Sequence, residues 1–144
     1  MAIRKEIDSQ HLYRDLSQQM VDKAAIDVLQ ELVRQEQGHQ QLLEQYLRGE
    51  LQGGMLSQEQ SIDYKIAERF DEPEISPDMR IKDVFLLAAN HEKVSHEFYL
   101  ALALIHPDGE AKRLIEELAA QELEHKQRVE FLYTEVAFPQ TDGG

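Results

Sequence analysis

Apolar side chains recur every three to four positions along most of this chain, the period of helices that each bury one stripe. Four long helices are predicted. The first runs from about Ile3 to Met20. Asp22 can cap the second, with Val21 and Ile26 at the spacing of a hydrophobic staple, and that helix continues to about Arg48 before Gly49 stops it. The third is expected to open with Ser76 as cap and Pro77 in its first turn, and to end near Ile105. Pro107 and Asp108 then break the chain and start the fourth, which reaches about Val136. These elements make one all-α domain over 1–136, with 137–144 as a flexible tail.

The connections differ in length, and that orders the helices in space. The two short ones, Val21-Asp22 and His106-Pro107-Asp108, make each half an antiparallel hairpin. Between the halves lie roughly 30 residues that include Gly53, Gly54, Pro73 and Pro77. Within this crossover, Ser61 to Phe70 is predicted to form a short extra helix.

The stripes contain residues that a plain apolar core has no use for. In the second helix Leu29, Leu32, Val33, Leu43, Tyr46 and Leu47 mark the buried face, and Glu36 and His39 fall in its gap. The fourth helix repeats this, with Ile115, Leu118, Ala119, Val129, Leu132 and Tyr133 around Glu122 and His125. Glu6 shares a face with Ile3 and Tyr13, and Glu92 with Val84, Ala88, Tyr99 and Leu102. The six polar residues form one pattern written twice: Glu, 30 positions on Glu-x-x-His, and the whole again 86 positions later without a gap. Aligning 6–44 with 92–130 gives 13 identities in 39 positions. Unrelated chains would match at about one position in fifteen, so the halves are a true repeat. Asp22/Asp108 match as expected helix caps, and the Gln-Glu pairs Gln35-Glu36 and Gln121-Glu122 match as well.

Four carboxylates at core phase need a counter-charge. Burying one unpaired carboxylate costs several kcal/mol, and no Lys or Arg occupies these stripe positions. A pair of metal cations removes the problem. The i, i+3 spacing of Glu-x-x-His sets both groups on one face, about 4.5 Å apart along the axis, so they can serve adjacent metals. A Glu from each of two helices plus Glu-x-x-His from each of two others is a known ligand set for binuclear centres in helical bundles.

Composition narrows the chemistry. With no Cys, disulfides, thiolate zinc sites, iron–sulfur clusters and a rubredoxin-type iron are excluded. The formal charge of −13 argues against nucleic acid and anionic membranes as partners. The N-terminus lacks an apolar signal-like run, so a cytoplasmic location is expected. Mixed carboxylate and imidazole donors suit iron, with manganese or zinc as substitutes.

These residues and spacings resemble the rubrerythrin branch of the ferritin-like di-iron carboxylate proteins, over about residues 1–136, crossover included. The resemblance implies a ferritin-like four-helix bundle of two repeated hairpins. It implies Glu6 and Glu92 as terminal ligands, Glu36 and Glu122 as bridges, and His39 and His125 on one iron each. Tyr13 and Tyr99 correspond to family tyrosines that hydrogen-bond ligating Glu. Rubrerythrins proper carry a further Glu three residues after the third helix's Glu, tied to peroxide reduction; here that position is Ser95, and its repeat partner is Ser9. They also carry a rubredoxin module, so electrons here would come from a separate donor protein or from Fe(II).

The favoured expectation is a di-iron oxidoreductase that reduces hydrogen peroxide or dioxygen in oxidative-stress defence, as a homodimer. A ferroxidase serving iron storage and a non-catalytic metal-binding bundle are the alternatives. His96 reads as a core-edge residue, and His11, His91 and His106 lack ligand spacing. Met20, Met55 and Met79 read as packing or crossover residues.

Overall fold

The computed structural model describes residues 2–49, 63–76 and 78–138. All regular structure among them is helical: α1 (Ala2–Gln19), α2 (Lys23–Leu47), the one-turn α3 (Ile66–Arg69), α4 (Ile81–Leu104) and α5 (Glu110–Ala137). None is long and apolar enough to cross a membrane.

Each helix boundary has a local cause. Asp22 caps α2, its carboxylate accepting the Ala25 N–H at 3.2 Å. The staple does not form, because Val21 is 92% exposed and so is not packed on Ile26. At the far end Gly49 takes φ +75°, a left-handed position that releases the chain. The third long helix begins later than expected, at Ile81. Ser76 caps a preceding turn instead, its hydroxyl accepting from Asp78 N, while Asp83 folds back to accept the Arg80 N–H at the true start. Asp108 likewise stands outside α5: Gly109 takes the cap position, and Asp108 faces Lys112 at 3.5 Å. Helix α5 includes Ala137. Pro77, the Gly53-Gly54 pair, Met55, the start of the expected 61–70 helix and residues 139–144 lie outside the described residues; of the described residues 63–70 only Ile66–Arg69 is helical, a single turn that starts after Lys65 at φ +54°.

α1 packs along α2, and α4 along α5, as the short connections require. Bonds between the hairpins set their mutual direction. Tyr13 reaches Glu92 and Tyr99 reaches Glu6, which makes α1 antiparallel to α4. His39 meets Glu122 and Glu31 pairs with Arg128, which makes α2 antiparallel to α5. A core of Tyr13, Leu16, Leu29, Leu32, Val84, Ala88 and Val129 joins all four long helices on one side of the polar centre. A second cluster around Leu43, Tyr99, Leu114 and Leu118 closes the other side. Leu47, assigned to the stripe by its spacing, is 74% exposed at the end of α2.

The crossover is pinned by a buried ion cluster. The Lys126 ammonium, buried in α5, lies 2.6 Å from Asp63, 3.1 Å from Glu68 and 3.1 Å from Glu130. Glu130, also fully buried, accepts the Ala67 N–H at 2.9 Å. Ile66 then packs on Phe85, Leu86 and Tyr133. Replacing Lys126 by Met should cost about 3 kcal/mol, because it leaves the Glu130 carboxylate buried without its cation. Urea unfolding of the metal-free protein checks this, and a loss within error of zero would remove the clamp from the account.

Candidate metal centre

Six side chains converge: Glu6 from the second turn of α1, and from the middle parts of the other long helices Glu36 and His39 of α2, Glu92 of α4, and Glu122 and His125 of α5. All are buried. Their donor atoms form two groups, Glu6–Glu36–His39–Glu122 and Glu36–Glu92–Glu122–His125, with the atoms of each within 4.8 Å of one another. Glu36 and Glu122 belong to both. The two groups are related by the repeat, since exchanging the hairpins exchanges one for the other. His39 Nδ1 lies 3.0 Å from Glu122, 3.7 Å from Glu6 and 3.8 Å from Glu36. His125 Nδ1 lies 3.6 Å from Glu36, 3.7 Å from Glu92 and 3.9 Å from Glu122. The imidazole rings stack at 5.4 Å, tilted by only 11°.

The tyrosines exchange partners across the hairpins. Tyr13 of α1 donates its hydroxyl to Glu92 of α4 at 2.8 Å, and Tyr99 of α4 donates to Glu6 of α1. Burial, with the charge of the carboxylate beside each, pushes both phenols well above their ordinary pKa. They stay protonated donors that orient the two outer carboxylates.

Burial and neighbouring charge move proton affinities at the centre in opposite directions. Burial pushes the Glu36 and Glu122 carboxyls well above the usual range, and the Glu92 charge adds to it. Burial would also raise Glu6 and Glu92, but their polar neighbours override it: Glu36 and His39 beside Glu6, and Glu122 and His125 beside Glu92, hold both below the usual range. Burial would lower His125, yet Glu36 and Glu92 beside it push it up to about 10. The two shared carboxyls and His125 thus hold protons more tightly than usual, and the two outer carboxyls less tightly.

The residues fit a pair of cations. Glu6 Oε2, both Glu36 oxygens, Glu92 Oε2, Glu122 Oε2 and His125 Nδ1 are buried without a hydrogen-bond partner. Buried polar atoms left unpaired in this way are rare inside proteins and costly. Metal bonds of about 2.0–2.2 Å at roughly right angles separate neighbouring donors by about 3 Å, close to the spacings above. The third acidic group, Asp63–Glu68–Glu130, is different, because the Lys126 ammonium already supplies its cation.

Several polar neighbours escaped the sequence reading. Gln121 Oε1 sits 2.8 Å from His39 Nε2. Lys5 donates to Ser95, and Ser9 Oγ lies 2.8 Å from His91 Nε2, so the residue before each leading Glu reaches the serine of the opposite hairpin. The repeat alignment pairs Lys5 with His91 and Ser9 with Ser95, and this was the available signal. His96 is half-buried, its Nδ1 2.7 Å from the Ala119 carbonyl and outside both donor groups. His106 bonds its own helix at Leu102, and His11 is exposed. A groove of about 490 Å³ between α2 and α5, bordered by Gln35, Gly38, Gln45 and Gln121, has His39 and His125 in its wall.

No protein-family model matches the chain, and no curated protein matches it. Among solved structures it is similar to a hypothetical protein from Pyrococcus furiosus, with 24% identity and a TM-score of 0.64 over 98% of this chain and 89% of that one. At that identity the likeness carries the all-helical fold alone.

Divalent metal at this centre competes with protons at Glu36, Glu122 and His125, whose proton affinities are raised, so binding two ions near neutral pH should release protons. Acid restores the competing protons, so affinity falls as pH drops and rises as it increases. Calorimetry of Mn²⁺ or Zn²⁺ binding in buffers of different ionisation enthalpy measures the release. Tight uptake with no protons released would place the ions elsewhere.

Proposed function

We propose that this chain is a ferritin-like, rubrerythrin-type di-iron protein that reduces hydrogen peroxide or dioxygen. The observation that carries the reading is the pair of buried carboxylate–imidazole groups sharing Glu36 and Glu122 at the middle of the core. Glu6 and Glu92 would be terminal ligands, Glu36 and Glu122 bridges, and His39 and His125 would hold one iron each. When bound, two ferrous ions supply two electrons, enough with two protons to convert one peroxide molecule to two waters.

The protein's own groups set the conditions for that chemistry. Four carboxylates match the +4 charge of a diferrous pair. Tyr13 and Tyr99 hold Glu92 and Glu6 in place by hydrogen bonds to one oxygen each, while the other oxygen of each carboxylate is buried and unpaired. The leucine, alanine and valine layers at both ends exclude bulk water, which strengthens every charge interaction inside. The groove beside His39 and His125 offers small molecules an approach to the imidazole side. Ser95 and Ser9, standing where a further carboxylate would enlarge the set, are instead engaged by Lys5 and His91. Reducing equivalents would come from a separate donor protein or from Fe(II) itself.

Anaerobic loading with Fe(II), removal of excess and an iron count should give two per chain. Peroxide or air should then oxidise the bound iron with one oxidant consumed per pair. Glu36→Ala or Glu122→Ala should reduce the count to one or none, since each carboxylate serves both groups. A mutant that retained two irons and wild-type turnover would show the ligand assignment to be wrong. Rapid oxidation by air with growing ferric deposits on a shell-sized particle would move the reading to iron storage.

A further inference from the structure

The repeat contains a matched dipeptide that the ligand set leaves half unused. Glu36 and Glu122 are donors, but each is preceded by a glutamine, Gln35 and Gln121. Both glutamines stand on the groove between α2 and α5. Gln121 Oε1 lies 2.8 Å from His39 Nε2, on the side of the ring away from the carboxylates. The opposite nitrogen, Nδ1, faces Glu122 at 3.0 Å.

A neutral imidazole has one N–H and one lone pair, and whichever nitrogen donates leaves the other as the metal donor. An amide oxygen can only accept. Its position at Nε2 therefore favours the proton there and turns the bare Nδ1 toward the centre. The antiparallel register extends this to the second ring. Gln35 lies one turn before His39 on α2, and His125 lies one turn after Gln121 on α5, so Gln35 stands opposite His125. Gln35 Oε1 is buried and has no partner, and so is His125 Nδ1. One of two equivalent contacts is therefore closed and the other is still open.

We propose that Gln121 and Gln35 are positioning residues that set the tautomer and ring orientation of the two metal-binding histidines, each reaching from its own hairpin to the imidazole of the other. The inference rests on the binuclear reading above. Each glutamine thus couples the hairpins: the helix that supplies a shared carboxylate also aims the other helix's imidazole at the same ions. Metal binding would draw the Gln35–His125 contact closed as the Nδ1 of His125 turns onto its ion. Glutamine suits this role because it accepts without adding charge to a centre that already holds four carboxylates.

Zn²⁺, a diamagnetic probe, allows the test on the full chain. In the wild-type protein loaded with two ions, histidine ring ¹⁵N spectra should show metal on Nδ1 and a slowly exchanging proton on Nε2 of both His39 and His125. Gln121→Met keeps the length and removes the acceptor. It should weaken one Zn²⁺ by about 10- to 100-fold, the range for outer partners of ligating histidines, and speed exchange of the His39 Nε2 proton. Gln121→Glu restores an acceptor and should recover both affinity and slow exchange, which a merely structural role for Gln121 would not require. Gln35→Met should do the same to the other ion and His125. Metal on Nε2 in the wild type, or Gln121→Met binding both ions with wild-type affinity, overturns the inference alone. A wild-type protein that takes up fewer than two ions overturns the binuclear reading and the inference together. The wild-type spectrum decides the tautomer even if a variant does not fold.

Discussion

Charge in the middle of a helical core constrains everything else in this molecule. Glu6, Glu36, Glu92 and Glu122 are all buried where leucine would serve stability better. Ionised together they would repel one another in a medium that screens poorly. Burial and the Glu92 charge raise the proton affinity of the two shared carboxyls, and Glu36 and Glu92 raise that of His125, so protons relieve part of the repulsion. That arrangement is costly, as the unpaired oxygens record, and it leaves the site complementary to two cations. Stability and function pull in opposite directions here, as expected where a site is preorganised.

The near two-fold symmetry distributes this cost. Several interactions that link the hairpins at the centre have counterparts: Tyr13 with Glu92 and Tyr99 with Glu6, Lys5 with Ser95 and His91 with Ser9. Each outer carboxylate is oriented by a tyrosine of the opposite hairpin, Glu92 by Tyr13 and Glu6 by Tyr99. The symmetry ends away from the centre. Gln40 and Lys126 occupy matching positions, yet Gln40 bonds Gln10 and Glu44, whereas Lys126 gathers Asp63, Glu68 and Glu130 and pins the crossover. One copy of the repeat was thus free to take on the task of anchoring the connection.

Much of this was legible in the residue order. Helical period, two short connections and one long one lead to an all-α chain of two hairpins. Glu and His at core phase, repeated at a constant offset, lead to the six residues that the structure brings together. The boundary errors have local reasons. Ser76 and Asp108 are good caps in isolation, but the cap positions fall at Arg80, where Asp83 folds back on the backbone, and at Gly109, one residue after Asp108. Val21 and Leu47 have the right spacing and lie too close to helix ends to be covered.

What the sequence determined by itself was therefore the set of donors, because a helix converts spacing directly into a shared face. Only the tertiary structure decided who meets whom: that each tyrosine serves the opposite hairpin's carboxylate, that Gln121 stands behind His39, and that a buried lysine next to His125 ties down the crossover. Periodicity places a residue on one face of its own helix and says nothing of the register between helices. That register comes from packing the whole core at once, and the polar contacts follow from it.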